Sequence, residues 1–176
     1  MNQNAIYKTT ATWGLVLGIA LVLFSLIPYI FGVYSLPKSL NLLQWLVIIG
    51  GIVIGQIKYR DGDLDGYISY GRAFGAGMLV MIWATIIYGV YFVSLVKIID
   101  PQYMEKMLVA QAETLYDAGY TEEMVEMVIS ASSNMSPVVM FVSAILGNAL
   151  LGLIISLISS AFIKREQPMF SPTDNE

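Results

Sequence analysis

The sequence predicts an all-α integral membrane protein in which four transmembrane helices form a bundle. Four apolar stretches contain no charged residue; they lie at 9–37, 39–57, 73–96 and 137–163. Each reaches the roughly 18 residues that an α-helix needs to cross about 30 Å of hydrocarbon. The composition agrees, because 57% of the residues are hydrophobic and only 12% are charged.

The helices themselves are expected at about 12–34, 40–57, 73–98 and 137–163 of a single membrane domain, 1–176. Pro28 removes one backbone hydrogen bond from the first helix and is expected to kink it. Ser136 before Pro137 is typical of an N-cap followed by a proline in the first helical turn. The tail at 164–176 is predicted to be disordered.

Two short amphipathic helices are predicted between the third and fourth spans, in the loop at 100–134. Asp100-Pro101 begins the first, Gly119 ends it, and Thr121 can cap the second. Apolar residues recur at helical spacing, at Met104, Met107, Leu108, Leu115, Met124, Val125, Met127 and Val128. The pair could form a structural lid over the bundle or a methionine-rich docking surface for a partner.

The distribution of lysine and arginine predicts that both termini are cytoplasmic. In that orientation the cytoplasmic segments carry Lys8, Lys58, Arg60, Arg72, Lys164 and Arg165. The opposite segments carry only Lys38, Lys97 and Lys106. Basic residues concentrate on the cytoplasmic side of membrane proteins.

The residue types that are absent narrow the chemistry. The chain has no cysteine and no histidine, so it lacks thiolate ligands and the commonest general base. No Asp, Glu, Lys or Arg lies in the middle of a span, which argues against a proton-coupled pump or a voltage sensor. We therefore expect no enzyme activity and no cofactor, and the absence of a long basic run argues against nucleic-acid binding.

Small residues recur at four-residue spacing in every span, which is typical of closely packed membrane helices. They are Gly14, Gly18, Gly51, Gly55, Gly71 and Gly75, followed in the last span by Ala144, Asn148, Gly152, Ser156 and Ser160. Packing within one chain is the simpler interpretation, and a homo-oligomer is the alternative. Asn148 is expected to face another helix, whereas Gln44 and Gln56 lie nearer the membrane surface, where they could reach water.

One polar stretch resembles a calcium-binding loop. Asp61, Asp63, Asp65 and Ser69 occupy four of its ligand positions. Arg72 stands where the loop needs a bidentate glutamate, and its charge would oppose a cation. The simpler interpretation is a tight polar turn between two spans.

The segment 66–74, Gly-Tyr-Ile-Ser-Tyr-Gly-Arg-Ala-Phe, is similar to the signature of the bacterial family called domain of unknown function 4199. Asp100-Pro101, the acidic methionine-rich stretch at 122–127 and Ser136-Pro137 follow in the order that the family shows. The resemblance implies a small multi-pass protein of the bacterial inner membrane. It implies no activity and no catalytic residues.

Three classes of function follow from these observations. The first is a structural or accessory protein that contacts a membrane-protein partner, in addition to the lipid bilayer. The second is a small oligomeric transporter or channel, in which Asn148, Gln44 or the hydroxyls of the last span would line water. A membrane enzyme is the third, and it lacks an acid–base pair inside a pocket.

Overall fold

The computed structural model describes residues 3–35 and 37–166, and every regular element in these ranges is helical. The elements are α1 (Gln3–Ile30), α2 (Lys38–Asp63), α3 (Tyr70–Ser94) with a π-helical turn (Leu95–Ile99), α4 (Tyr103–Asp117), α5 (Glu122–Ser133) and α6 (Pro137–Ile163). Four segments are long and apolar enough to cross a membrane: Ala5–Ile30, Ser39–Asp63, Tyr70–Ile99 and Val138–Ile163. The prediction of an all-helical chain with four such helices is confirmed.

The central element of the bundle is α3, which packs against α1, α2 and α6. One end of the bundle brings together the start of α1, the link between α2 and α3, and the end of α6; we call it the terminal end. The opposite end carries α4, whose Thr114 hydroxyl lies 2.7 Å from the Ser35 hydroxyl; we call it the hairpin end.

The core lies where α1, α2 and α3 meet. Leu17, Ile52, Val80 and Ala84 are almost completely buried there and pack in one cluster. The outward faces of the same helices carry exposed apolar side chains, such as Leu15 and Ile86. Apolar residues on both sides are typical of helices surrounded by lipid, because hydrocarbon does not penalise an exposed leucine.

Local chemistry sets the helix ends, and several differ from the apolar spans. α1 ends at Ile30, and the φ of 71° at Gly32 allows Val33 N–H to donate back to Pro28 C=O at 2.9 Å. α2 continues six residues beyond the predicted span, through Asp63, because polar residues are tolerated where a helix leaves the hydrocarbon. Ser136 caps α6 as predicted, accepting a hydrogen bond from Val139 N–H at 3.3 Å. The predicted tail beyond Glu166 lies outside the described residues.

The π-helical turn redirects the chain from α3 towards α4. Asp100 N–H donates to Leu95 C=O at 2.8 Å, one residue beyond the α-helical partner. Leu95 and Val96 remain buried in this turn. A single wide turn of this kind inserts a residue and rotates the downstream chain, so α4 begins beside the end of α1.

Candidate functional site

The hairpin formed by α4 and α5 is held to the bundle by a small polar network centred on Asp100. Lys106 Nζ donates to its Oδ2 at 2.8 Å, and Tyr29 OH donates to the same oxygen at 3.4 Å. Gln102 N–H donates to Oδ1 at 3.1 Å. The hydrogen bond from Lys106 lowers the pKa of the Asp100 carboxyl more than any other interaction does. The same hydrogen bond raises the pKa of Lys106.

An aromatic cluster supports this network from the side of the bundle. Tyr103 on α4 is buried and makes edge contacts with the rings of Tyr29, Tyr34 and Phe92, with centroids 5.6–6.3 Å apart. Burial raises the pKa of Tyr103 to about 12. Lys106 Nζ lies 5.6 Å from the centre of the Tyr34 ring, a distance that allows a cation–π contact. These contacts fix α4 against the end of α1.

α5 packs against α4 and leaves most of its apolar side chains uncovered. Val125 is 2% exposed, whereas Met124 is 49% exposed and Met127 is 67% exposed. Val128 is also exposed, so only one of these four apolar residues of α5 is buried. Thr121 stands at the N-cap of α5, but its side chain accepts no hydrogen bond from the helix.

The glycines of α1 allow α1 to approach α3 closely. A β-carbon added at Gly14 would lie 2.9 Å from the carbonyl oxygen of Val80 and closer still to Cβ of Trp83. One added at Gly18 would lie 2.8 Å from Cβ of Ile87. α1 and α3 therefore touch through their backbones along the Gly14–Gly18 face.

The other small residues of the predicted rows divide into two groups. Added β-carbons at Gly51, Gly55 and Gly152 would meet side chains at 2.7–2.8 Å, those of Leu17, Val80 and Met81 respectively. Gly71 and Gly75 have no atom within 4 Å of that position, so they do not pack closely within the described chain. The Ala144 side chain is not among those that the structure describes.

A buried polar junction joins α2, α3 and α6. Gln56 is fully buried, and its Nε2 donates to Ala73 C=O at 3.0 Å and to Ser160 Oγ at 3.1 Å. Gln56 does not reach water, as its place near the end of the span would have allowed, because three helices enclose it. Ser156 is also fully buried beside Gly77, where a β-carbon would lie 2.6 Å from Gln56 Nε2.

The close packing at Gly77 was not predicted from the sequence. Gly77 lies two residues after the GxxxG pair of α3 and on a different face of the helix. The signal available was a small residue one helical turn after Ala73 on the face that meets Gln56. Asn148, in contrast, is half-buried, and no hydrogen bond joins its side chain to another described residue. Gln44 is half-buried and lines a cavity at the hairpin end.

The aspartates at 61, 63 and 65 do not lie together in one loop. Asp61 and Asp63 belong to the last turn of α2, where Asp61 pairs with Arg60 at 2.7 Å and Asp63 accepts a hydrogen bond from Thr9 at 2.5 Å. Only Asp65, with a φ of 52°, is in the turn itself. Among the described residues, no group of three or more Asp or Glu side chains could hold a metal ion.

The link between α2 and α3 is fastened to the end of α6. Ile68 N–H donates to Arg165 C=O at 2.8 Å, and Arg165 N–H donates to Ile68 C=O at 2.9 Å. Arg60 Nη1 donates to Ile163 C=O at 3.4 Å, and this hydrogen bond satisfies one of the last carbonyls of α6. Ile68 and Ile163 are buried together beneath this bridge.

The segment that carries these contacts is also the one that resembles a family signature. The family described as Protein of unknown function (DUF4199) matches residues 12–165 of the chain. The chain belongs to this family. No curated protein and no solved structure matches it.

In this DUF4199 member, the matched range ends at the residue that bridges to Ile68. The signature segment 66–74 begins with Gly66, whose φ of 83° closes the turn after α2. It continues through Ile68 to Ala73, whose carbonyl accepts the hydrogen bond from Gln56. The signature therefore unites the turn, the bridge to α6 and the polar junction, all of which hold the bundle together.

Proposed function

We propose that this protein is a structural or accessory component of the bacterial inner membrane, and that α5 docks a partner protein with an apolar and basic surface. The observation that carries the proposal is the exposure of Met124, Met127 and Val128 on a helix outside the four spanning segments. Lipid can cover the apolar faces of the spans, but these side chains lie beyond them.

The shape of α5 suits docking. It is amphipathic, with methionines on one surface and Glu122, Glu123 and Glu126 beside them. Methionine side chains are unbranched and adapt to irregular apolar surfaces, as in other proteins that bind helices through methionine-rich grooves. α4 contacts the bundle and α5 packs against α4, so α5 is the outer helix of the hairpin.

Charge determines the kind of partner. Residues 100–134 carry seven carboxylates and one lysine. A second copy of this hairpin would repel the first, and so would an anionic lipid surface. A basic partner protein would be attracted, so we assign the surface to a heterologous protein rather than to self-association.

The orientation follows from the same distribution of charges. Arg60, Arg72 and Arg165 lie at the terminal end with three lysines, whereas the hairpin end carries three lysines in all. Basic residues favour the cytoplasmic side, which would make the hairpin end extracytoplasmic. The partner would then meet α5 on the outer side of the inner membrane.

Photo-crosslinking in the native host tests this proposal. We would replace Met127 with p-benzoylphenylalanine and compare it with the same replacement of Phe162, which is 84% exposed within a spanning helix. We expect one crosslinked protein at position 127 that is absent at position 162, where lipid is the neighbour.

Charge reversal then distinguishes docking from accidental proximity. Reversal of Glu122, Glu123 and Glu126 to lysine should abolish the crosslink at position 127. The matched control reverses three carboxylates of α4, at Glu105, Glu113 and Asp117, and should retain it. A crosslink that survives the α5 reversal, or its absence from the unaltered sequence, would overturn the proposal.

No described contact favours the transporter alternative. The buried hydroxyls of Ser156 and Ser160 face Gln56 and Gly77 in a closely packed junction rather than water. Asn148 lies nearer the start of α6, where it is half-buried. The accessory role is therefore the one that the geometry supports best.

A further inference from the structure

A cavity of about 310 Å³ lies at the hairpin end, separate from the exposed surface of α5. Ser25 on α1, Gln44 on α2, Tyr88 on α3 and Tyr103 on α4 all contribute to its wall. Ser25 lies five residues before the end of α1, so the cavity reaches about 7.5 Å into the bundle at about 1.5 Å per residue. Four helices thus enclose one depression.

The wall of this cavity is polar but uncharged. Hydroxyl and carboxamide groups line it, from Ser25, Tyr34, Asn41, Gln44, Tyr88 and Thr114. Such groups both donate and accept hydrogen bonds. None of the described residues that line it is Asp, Glu, Lys or Arg. The nearest ion pair, Asp100 with Lys106, is already closed at 2.8 Å. A charged ligand would find no counter-charge in this wall. A neutral ligand with several hydroxyls would find the Asn41 and Gln44 carboxamides, whereas the Thr114 hydroxyl already pairs with that of Ser35 at 2.7 Å.

Aromatic rings complete the wall. Tyr34, Tyr88 and Tyr103 contribute aromatic side chains to it, and each side chain combines an apolar ring with a hydroxyl. A ligand that combines C–H faces with hydroxyl edges matches this mixture. The volume lies at the lower limit of about 300–1,000 Å³ for ligand pockets, which suits a single ring.

We propose that this cavity binds one sugar-like ring, a hexose or a cyclic polyol, either free or as the headgroup of a glycolipid. Because Tyr103 and Thr114 belong to α4, the bound ring would join the hairpin to the bundle. The site would act independently of the docking surface on α5, so each can fail without the other.

Thermal unfolding of the full chain in detergent provides the first test. The probes are glucose, galactose and myo-inositol at about 100 mM, with glycerol as the control for the general stabilising effect of polyols. We expect at least one ring to raise the unfolding midpoint by several degrees more than glycerol does. Gln44→Leu should remove that excess. Asn148→Leu, which replaces an amide outside the cavity, should retain it.

Thiol labelling distinguishes a free sugar from a lipid headgroup. The chain has no cysteine, so Asn41→Cys at the mouth of the cavity provides its only thiol. In vesicles, glucose or glucosyldiacylglycerol should slow maleimide labelling at position 41 several-fold. Ser69→Cys at the terminal end should react at an unchanged rate. Slowing by the lipid alone would assign the headgroup, and slowing by glucose alone would assign the free sugar.

Two results would overturn the proposal. One is that no ring exceeds glycerol in the thermal test while neither glucose nor the glycolipid slows labelling at position 41. The cavity would then hold water only, about ten molecules at roughly 30 Å³ each. The other is that the ring stabilises the Gln44→Leu variant as much as the unaltered protein, which would place the binding elsewhere on the protein.

Discussion

Adding one methyl group at Gly14 and at Gly75 should have opposite effects on stability. Both residues belong to GxxxG pairs, and the sequence alone treats them alike. At Gly14 the methyl would meet Val80 C=O at 2.9 Å and the Cβ of Trp83. At Gly75 it would meet nothing within 4 Å. The same substitution therefore probes contact between α1 and α3 at one site and only helix propensity at the other.

The magnitudes follow from the atoms involved. Overpacking a well-filled interface costs about 1–3 kcal/mol. The upper part of that range applies to Gly14, because a helix carbonyl and a β-carbon cannot escape by changing rotamer. Replacing glycine with alanine in a helix also stabilises the helix by up to about 1 kcal/mol, which partly offsets that cost. We expect Gly14→Ala to lower the free energy of unfolding by about 2 kcal/mol, and Gly75→Ala to raise it by up to about 1 kcal/mol.

Steric trapping or titration with a denaturing detergent in mixed micelles would measure both free energies. Circular dichroism should show the same helix content for the two variants before unfolding. If Gly14→Ala were as stable as the unaltered protein, α1 and α3 would not be in backbone contact. If Gly75→Ala were destabilised as strongly as Gly14→Ala, a neighbour such as a second copy would have to cover that face.

Three further outcomes can be measured. Gln56→Leu should cost about 1 kcal/mol, since interhelical hydrogen bonds in membranes average about 0.6 kcal/mol each; a double-mutant cycle with Ser160→Ala that gave no coupling would contradict the bond. Lys106 holds the pKa of Asp100 below its ordinary value of about 3.9. The pair therefore stabilises the hairpin above that pH, and the contribution is lost as the pH falls through the lowered pKa. The distance between spin labels on α1 and α4 should increase in acid. In the Asp100→Asn variant this distance should already be increased at neutral pH. Ser136→Ala should cost about 1 kcal/mol through loss of the α6 cap, measured by the same unfolding titration.

The four long helices were predictable because exclusion of charge from hydrocarbon acts on each segment separately. Their ends were less so. The positive φ of Gly32, a glycine surrounded by apolar residues, ends α1 before the predicted boundary. α2 continued into Asp61 and Asp63 because a helix does not need to end where the membrane does. The cap at Ser136 depends on adjacent residues alone and was predicted correctly.

The candidate sites depended on which helices become neighbours, and periodicity within one helix does not contain that information. Gln56 lies near the end of its span, where it could have reached water, but Ser160, distant in the sequence, encloses it with Ala73. The cavity at the hairpin end needs four helices and could not be found from any one of them. The exposure of Met127 likewise depends on the packing of α5 against α4, because the opposite surface of α5, which carries Val125, makes that contact.

The bridge between Ile68 and Arg165 has a consequence for biogenesis. Its two partners leave the ribosome far apart in time, because four α-helices, α3 to α6, lie between them in the chain, so the contact cannot form until synthesis is nearly complete. Until then α2 and α3 sit in the bilayer with the Gln56 amide lacking Ser160, exposed to lipid on the side that α6 will cover. The polar junction therefore closes only when α6 arrives, and the last span completes the protein in one late step.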